Sequence, residues 1–267
     1  MTYKGYKTIK GNSNEINIAM ENIDISEWYT NEYLIIENTE DGTFKELRFD
    51  GENFTSLKLP PSSFIKGKNS LQRCALDILN NPDITVAAIL GNYGSGKSYL
   101  AMQMALYAVR EKGWQSFILG VREPCGEGRE LGYLKGDFED KNKVWTLPLI
   151  QQLDGKEIEA NKLTYEGVLS FNIPTYMKGT SYANTVMIID EAEDLTEKQI
   201  RLIGTRVAEG SRIIFDGDFR QSSTKGNGYP LLKMCEELRG NPLFACITLE
   251  DDVRSETSKM FANLFQD

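Results

Sequence analysis

Lys97 and Ser98 close the run Gly91-Asn92-Tyr93-Gly94-Ser95-Gly96-Lys97-Ser98, in which three glycines within six residues precede a cation and a hydroxyl. Glycine interrupts regular structure, so the chain either turns tightly here or lets something approach its backbone very closely. The spacing fits G-x-x-x-x-G-K-[ST], the Walker A P-loop. Its glycines allow successive backbone N–H groups to turn inward as an anion nest, and a helix starting directly afterwards adds the positive end of its dipole. In such a cradle Lys97 reaches the β- and γ-phosphates and the Ser98 hydroxyl ligates Mg²⁺. Residues Gly91, Asn92, Tyr93, Gly94, Ser95, Gly96, Lys97, Ser98 and Tyr99 are therefore the expected nucleotide contacts.

A phosphate cradle needs a carboxylate on the metal side and a group that activates water. The stretch TVMIIDEAEDLT supplies both, because the apolar run Val186–Ile189 ends in Asp190-Glu191. In open α/β sheets ligands bind beyond the carboxyl ends of the strands. Asp190 suits the Mg²⁺ role and Glu191 the polarisation of the attacking water. A third apolar run, RIIFDGDFRQ, ends in Asp216-Gly217-Asp218-Phe219-Arg220-Gln221. Taken alone it reads equally as a structural turn. Beside the other two motifs, Gln221 is placed to bond the γ-phosphate or its water in one nucleotide state.

The elements that must position these groups are apolar strands alternating with helical patterns from Asn69 onward. Strands are expected at Thr85–Leu90, Ser116–Val121, Val186–Asp190, Arg212–Asp216 and Cys246–Leu249. Helices are expected near Leu71–Asn80, Ser98–Glu111, Thr196–Ala208, Pro230–Arg239 and Thr257–Phe265. Strands with near-continuous apolar character, separated by helices, imply an α/β fold with a mainly parallel sheet flanked by helices. Residues 1–66 differ: NEYLIIENTEDGTFKELRFDG reads as two short strands, Glu32–Glu37 and Lys45–Asp50, joined through Asp41-Gly42. Pro60-Pro61 breaks regular structure and marks a boundary between this small β-rich N-terminal domain, 1–66, and a second domain, 67–267. Lys4, Lys7 and Lys10 read as a solubilising tail.

Composition narrows the chemistry. The 267 residues contain no histidine, which removes His-based triads, His metal ligands and His general acids together. The formal net charge of −9 argues against a globally basic nucleic-acid coat, although a local positive groove is compatible with it. The four cysteines, Cys74, Cys125, Cys235 and Cys246, include no CxxC pair, so reduced thiols in a cytoplasmic setting are expected. No apolar run approaches the roughly 18 residues that cross a bilayer, so no membrane partner is expected. The first twenty residues are too polar for a signal peptide.

In combination these segments resemble the PhoH-like family of P-loop ATPases, itself similar to one core domain of superfamily 1 helicases. NSLQRCALDIL resembles the family's glutamine segment, implying that Gln72 reads the adenine; GNYGSGKSYLA is its P-loop. VREPCGEGRELGYLKGDFEDKNKVWTLPL resembles its long arginine-proline and glycine-rich signature, and GDFRQ its GDxxQ motif. The stretch PTYMKGTSYANTVMIIDEAEDLT is similar to the segment that usually ends in DEAQN, and LEDDVRSETSKMFANLF to the C-terminal arginine motif. EWYTNEYLII resembles the connector of the branch that carries a fused PIN-type nuclease; about 65 residues are too few for that nuclease, so ribonuclease activity is not expected. The chain departs from the family pattern at Glu193 (usually glutamine), Asp216 (usually threonine) and Thr180 (often arginine).

The resemblance implies a RecA-like P-loop NTPase core, ATP and Mg²⁺ as cofactors, and a homo-oligomeric ring, a hexamer. It also favours Arg254 as an arginine finger over a surface ion pair with Asp251, Asp252 or Glu256. Arg206 is the second candidate, against a structural salt bridge. Arg122, Arg129, Lys135, Lys141 and Lys143 lie around Tyr133 and Trp145, a pattern that suits tracking of a single strand by charge and stacking. Acids interleave with them, so a solvated loop fits equally. Two functions remain: a motor acting on RNA or another nucleic acid, and an ATP-dependent regulatory or assembly switch without strand translocation. A small-molecule kinase is disfavoured, because GDxxQ and Glu191 suit water as the acceptor.

Overall fold

Strands form where apolar runs of about six residues can be covered on both faces. The computed structural model describes residues 3–92, 94–122, 146–218, 230–250 and 260. From β5 (Val86–Gly91) onward these runs make one sheet with β6 (Phe117–Arg122), β7 (Leu169–Asn172), β8 (Thr185–Asp190), β9 (Arg212–Gly217) and β10 (Phe244–Leu249). The order is β10-β5-β9-β8-β6-β7, and every ladder is parallel. Alternation along one strand feeds two cores. In β8, Val186 and Ile188 join α2 (Ser70–Asn80) and α3 (Lys97–Tyr107) on one face. Met187 and Ile189 pack on the other face, with Ile203 of α5 (Glu197–Gly204) and Leu231 of α6 (Pro230–Leu238). Parallel strands bring all their carboxyl ends to one edge, so Gly91, Arg122, Asp190, Gly217 and Leu249 lie together.

The N-terminal segment is a four-stranded sheet in the order β1-β2-β3-β4. The sequence gives two of its strands, observed as β2 (Tyr33–Asn38) and β3 (Phe44–Phe49). β1 (Tyr6–Gly11), α1 (Ser13–Glu21) and β4 (Phe54–Ser56) are additional. The lysines are no tail. Lys7 stacks 4.4 Å over the Trp28 ring, Lys10 pairs with Glu37 at 2.7 Å and Lys4 with Glu250 at 2.6 Å. Contacts with the larger sheet are polar as well as apolar. Buried Asp77 of α2 accepts the Tyr33 hydroxyl at 2.8 Å and pairs with Arg48 at 3.1 Å. Asn31 donates to the Pro242 and Phe244 carbonyls.

The larger sheet also contains β7, preceded by the helix α4 (Lys156–Tyr165), and periodicity misses both. The helix expected over Ser98–Glu111 ends its α-helical part at Tyr107 and continues as a single π-helical stretch, Ala108–Lys112. That expected over Thr196–Ala208 stops at Gly204. The helix expected over Thr257–Phe265 lies outside the described residues, Met260 excepted.

Candidate nucleotide hydrolysis site

The cradle follows from backbone conformation. Gly94 and Gly96 take left-handed conformations, φ 82 and 89, immediately before α3. No side chain caps this helix and no acid stands in its first turn, so its leading N–H groups are left for an anion. Gly91 is needed for a different reason. Its φ is 139, and a Cβ there would lie 2.1 Å from the Leu249 carbonyl oxygen of β10. At this first glycine the close approach comes from the neighbouring strand. Lys97 is buried and folds back, donating to the Asn92 carbonyl at 3.1 Å. Gln72 is buried too: its amide donates to the Ser95 carbonyl at 2.9 Å and accepts from the Lys68 N–H at 2.9 Å. In this state the glutamine braces the loop, so reading an adenine requires it to exchange one of these bonds.

The acids line the same cleft as the cradle. A cleft of about 360 Å³ is lined by Lys97, Ser98 and Tyr99 together with Arg122, Asp190 and Glu191. Tyr99 is 41% exposed beside it. Asp190 ends β8; burial raises its pKa, against the lowering effect of Arg122 and Lys97. Glu191 follows in a left-handed conformation, φ 51, which is uncommon for a residue with a side chain. Asp216 is the penultimate residue of β9 and is 2% exposed. Burial raises its pKa, and the nearby Lys97 and a hydrogen bond from Ser98 lower it in part. A hollow of about 710 Å³ near Leu147 and Ile158 is lined by none of the cradle residues or strand-end acids.

The donor set suits a small hard cation. Ser98, Asp190 and Asp216 are all oxygen ligands, and the Asp216 Oδ2 atom is buried with no hydrogen-bond partner. A hydroxyl that donates its proton to Asp216 keeps its lone pairs for a metal. Among the described residues no group of three or more Cys, Asp or Glu side chains could hold a metal by itself.

Glu193 replaces the glutamine of the resembling motif and is 9% exposed in the cleft wall. Burial pushes its pKa up to about 8. At neutral pH it is mostly a neutral acid, one O–H donor and one carbonyl acceptor, which is the hydrogen-bonding pattern of a glutamine amide. Between its ordinary 4.5 and about 8 the folded chain binds a proton that the unfolded chain has released. Stability is therefore highest below that window and falls as pH rises through it. Glu193→Gln is expected to flatten this loss in a melting-temperature series against pH. A parallel pH profile in both proteins would show that Glu193 titrates normally.

The other sequence candidates divide. Tyr93, Gln221 and Arg254 lie outside the described residues, as do Arg129, Lys135, Lys141, Lys143, Tyr133 and Trp145. Arg206 sits after α5, where its carbonyl accepts from Tyr182 before the start of β9, the edge of the sheet opposite its own cleft. Arg122 corrects the sequence reading. It belongs with the acids of the cleft, pairing with Asp190 at 2.8 Å and also with Glu191. Only the strand register, Arg122 opposite Asp190, reveals this. The cysteines Cys74, Cys235 and Cys246 are free and buried, and no described helix is long and apolar enough to cross a membrane.

Fold and cleft together define a RecA-like P-loop NTPase core. The model of the family described as PhoH-like protein matches residues 64–266, and the chain belongs to that family. It is 30% identical over 231 residues to "Protein PhoH2" of Bacillus subtilis (strain 168), covering 82% of this chain and 50% of that protein. It is 32% identical over 209 residues to "Protein PhoH2" of Thermobispora bispora, covering 76% and 48%. The chain thus spans about half the length of the curated relatives it matches. Among solved structures, the arterivirus nonstructural protein 10 (helicase) aligns with a TM-score of 0.35 at 14% identity, over 82% of this chain and 45% of that one.

Proposed function

We propose that this chain hydrolyses ATP with Mg²⁺ and acts as a ring-forming motor on RNA or another nucleic acid. The observation that carries the hydrolytic reading is that Lys97, Ser98, Asp190 and Glu191 line one cleft. The backbone N–H groups of residues 94–98 and Lys97 hold the phosphates. Ser98 and Asp190, with Asp216 beside them, hold the cation, which neutralises developing charge on the phosphates when bound. Glu191 takes the proton of the attacking water, and Gln221 senses the γ-phosphate. Tyr99 is exposed where a base or ribose can lie against it, and Gln72 is the residue for the adenine.

A single P-loop domain leaves the γ-phosphate open on one side. A neighbouring subunit closes it in a ring, a hexamer, with Arg254 or failing it Arg206 as the trans-acting cation. The setting is cytoplasmic, with domains 1–66 and 67–267. The net charge of −9 favours a second reading, an ATP-dependent assembly switch that moves no strand. ATPase rate measured with and without single-stranded RNA separates the two. The motor reading expects stimulation that disappears at high salt, because phosphate contacts release counterions. Robust ATPase indifferent to RNA and DNA would leave the switch; no ATPase at all would overturn both.

A further inference from the structure

Neighbouring residues at the end of a strand point to opposite faces. Asp190 and Glu191 nevertheless meet one guanidinium. Arg122 Nη1 contacts Asp190 Oδ2 at 2.8 Å, and Nη2 contacts Glu191 Oε1. Two features make this possible. The parallel register sets Arg122 directly beside Asp190, and the left-handed backbone at Glu191 turns its side chain back toward β6. That conformation costs energy in a residue with a side chain, and a planar fork satisfying two carboxylates is the contact that offsets it. The Arg122 side chain is 17% exposed, so the pair is screened less than a surface ion pair.

Charge explains why an arginine is placed here. Asp190 and Glu191 stand side by side in the cleft wall with Asp216 buried close to Asp190, while the Lys97 ammonium is held by the Asn92 carbonyl of the loop. We propose that Arg122 is a positioning residue that serves as the internal counter-ion of the acid pair. It fixes the Glu191 carboxylate toward the cleft and occupies the charge of Asp190 until a cation arrives together with nucleotide. A free divalent cation must compete with the guanidinium for Asp190. A cation escorted by a triphosphate brings its own ligands and also offers the arginine a new anion. The chain is thereby biased toward taking up metal and nucleotide as one unit. The inference rests on the hydrolytic reading above, and goes beyond it in assigning Arg122.

The test uses the full chain without nucleotide, titrated with Mn²⁺ alone and followed by electron paramagnetic resonance. Wild type, Arg122→Gln and Arg122→Lys are compared, with thermal unfolding to establish that each is folded. Arg122→Gln is expected to bind Mn²⁺ at least about tenfold more tightly, because the competing charge is gone. Arg122→Lys retains the charge and should bind Mn²⁺ within about threefold of wild type. Its MgATP turnover should still drop with KM nearly unchanged, since a single ammonium cannot bridge both carboxylates. Equal Mn²⁺ affinity in wild type and Arg122→Gln overturns the counter-ion role. Full turnover in Arg122→Lys overturns the positioning role and decides the matter if the glutamine variant does not fold. Loss of RNA stimulation alone, with metal affinity and basal turnover unchanged, would make Arg122 a strand contact and sink the proposal. Failure of wild type to bind MgATP in calorimetry is a separate result that removes the hydrolytic reading and leaves the Mn²⁺ comparison intact.

Discussion

Lys97→Ala is expected to abolish measurable nucleotide binding. Lys97 is the cation on the phosphate side of the cleft, buried at the first position of α3 with its ammonium held by the Asn92 carbonyl. The cleft's other described cation, Arg122, is engaged by two carboxylates. Removing Lys97 leaves an incoming triphosphate to meet a cleft whose remaining described cation is already paired with Asp190 and Glu191. Two charge-assisted hydrogen bonds to phosphate, at about 1.5–3 kcal/mol each, correspond to a loss of at least about a hundredfold in affinity. Calorimetric titration with MgATP measures this directly. Unchanged affinity in a folded variant would reject the P-loop assignment. The variant has a second signature. Lys97 lowers the pKa of both Asp190 and Asp216, so without it both acids hold their protons more strongly.

What could be read from the sequence was whatever one segment decides by itself. The P-loop is local: its glycines, its lysine and the following helix are consecutive, and their conformations follow from residue type. Strands β5, β8, β9 and β10 were legible because their residues are apolar on both faces. β1 was not, since YKTIKG alternates without an apolar face and its lysines find partners only in tertiary structure. β7 is four residues at the sheet edge, and α4 buries only Ala160 and Leu163, too few for a helical stripe. The site shows the same division. Asp190 and Glu191 were visible as a motif, but Arg122 is 68 residues from Asp190 and joins it only through register. Asp216 stood out as an unusual residue; its bond from Ser98 needed β9 to lie beside β5. Gln72 is instructive in the other direction. The family resemblance implies a base contact, and the structure has its amide already holding the loop.

Glu191→Gln should leave MgATP binding intact and reduce turnover by at least about a hundredfold, the scale of a lost general base. The substitution is nearly isosteric, and its amide oxygen can still accept from Arg122, so the left-handed turn and the cradle persist. What disappears is basicity. Burial raises the Glu191 pKa, as do the neighbouring Asp190 and Asp194, while Arg122 lowers it. The carboxylate thus combines a position toward the cleft with a greater appetite for a proton than an exposed glutamate has. Single-turnover hydrolysis separates this from binding. Near-normal turnover would move the base elsewhere, and Glu193 is the obvious substitute, because it lines the same cleft. Its burial makes the alternative distinguishable. With a pKa of about 8, Glu193 is mostly protonated at neutral pH and cannot accept a proton there. Residual activity in Glu191→Gln that climbs as pH rises through about 8, and vanishes when Glu193→Gln is added, would identify Glu193 as the working base. Residual activity that is flat across that range leaves Glu191 in the role, with Glu193 acting as the neutral hydrogen-bonding group that a glutamine supplies elsewhere in the family.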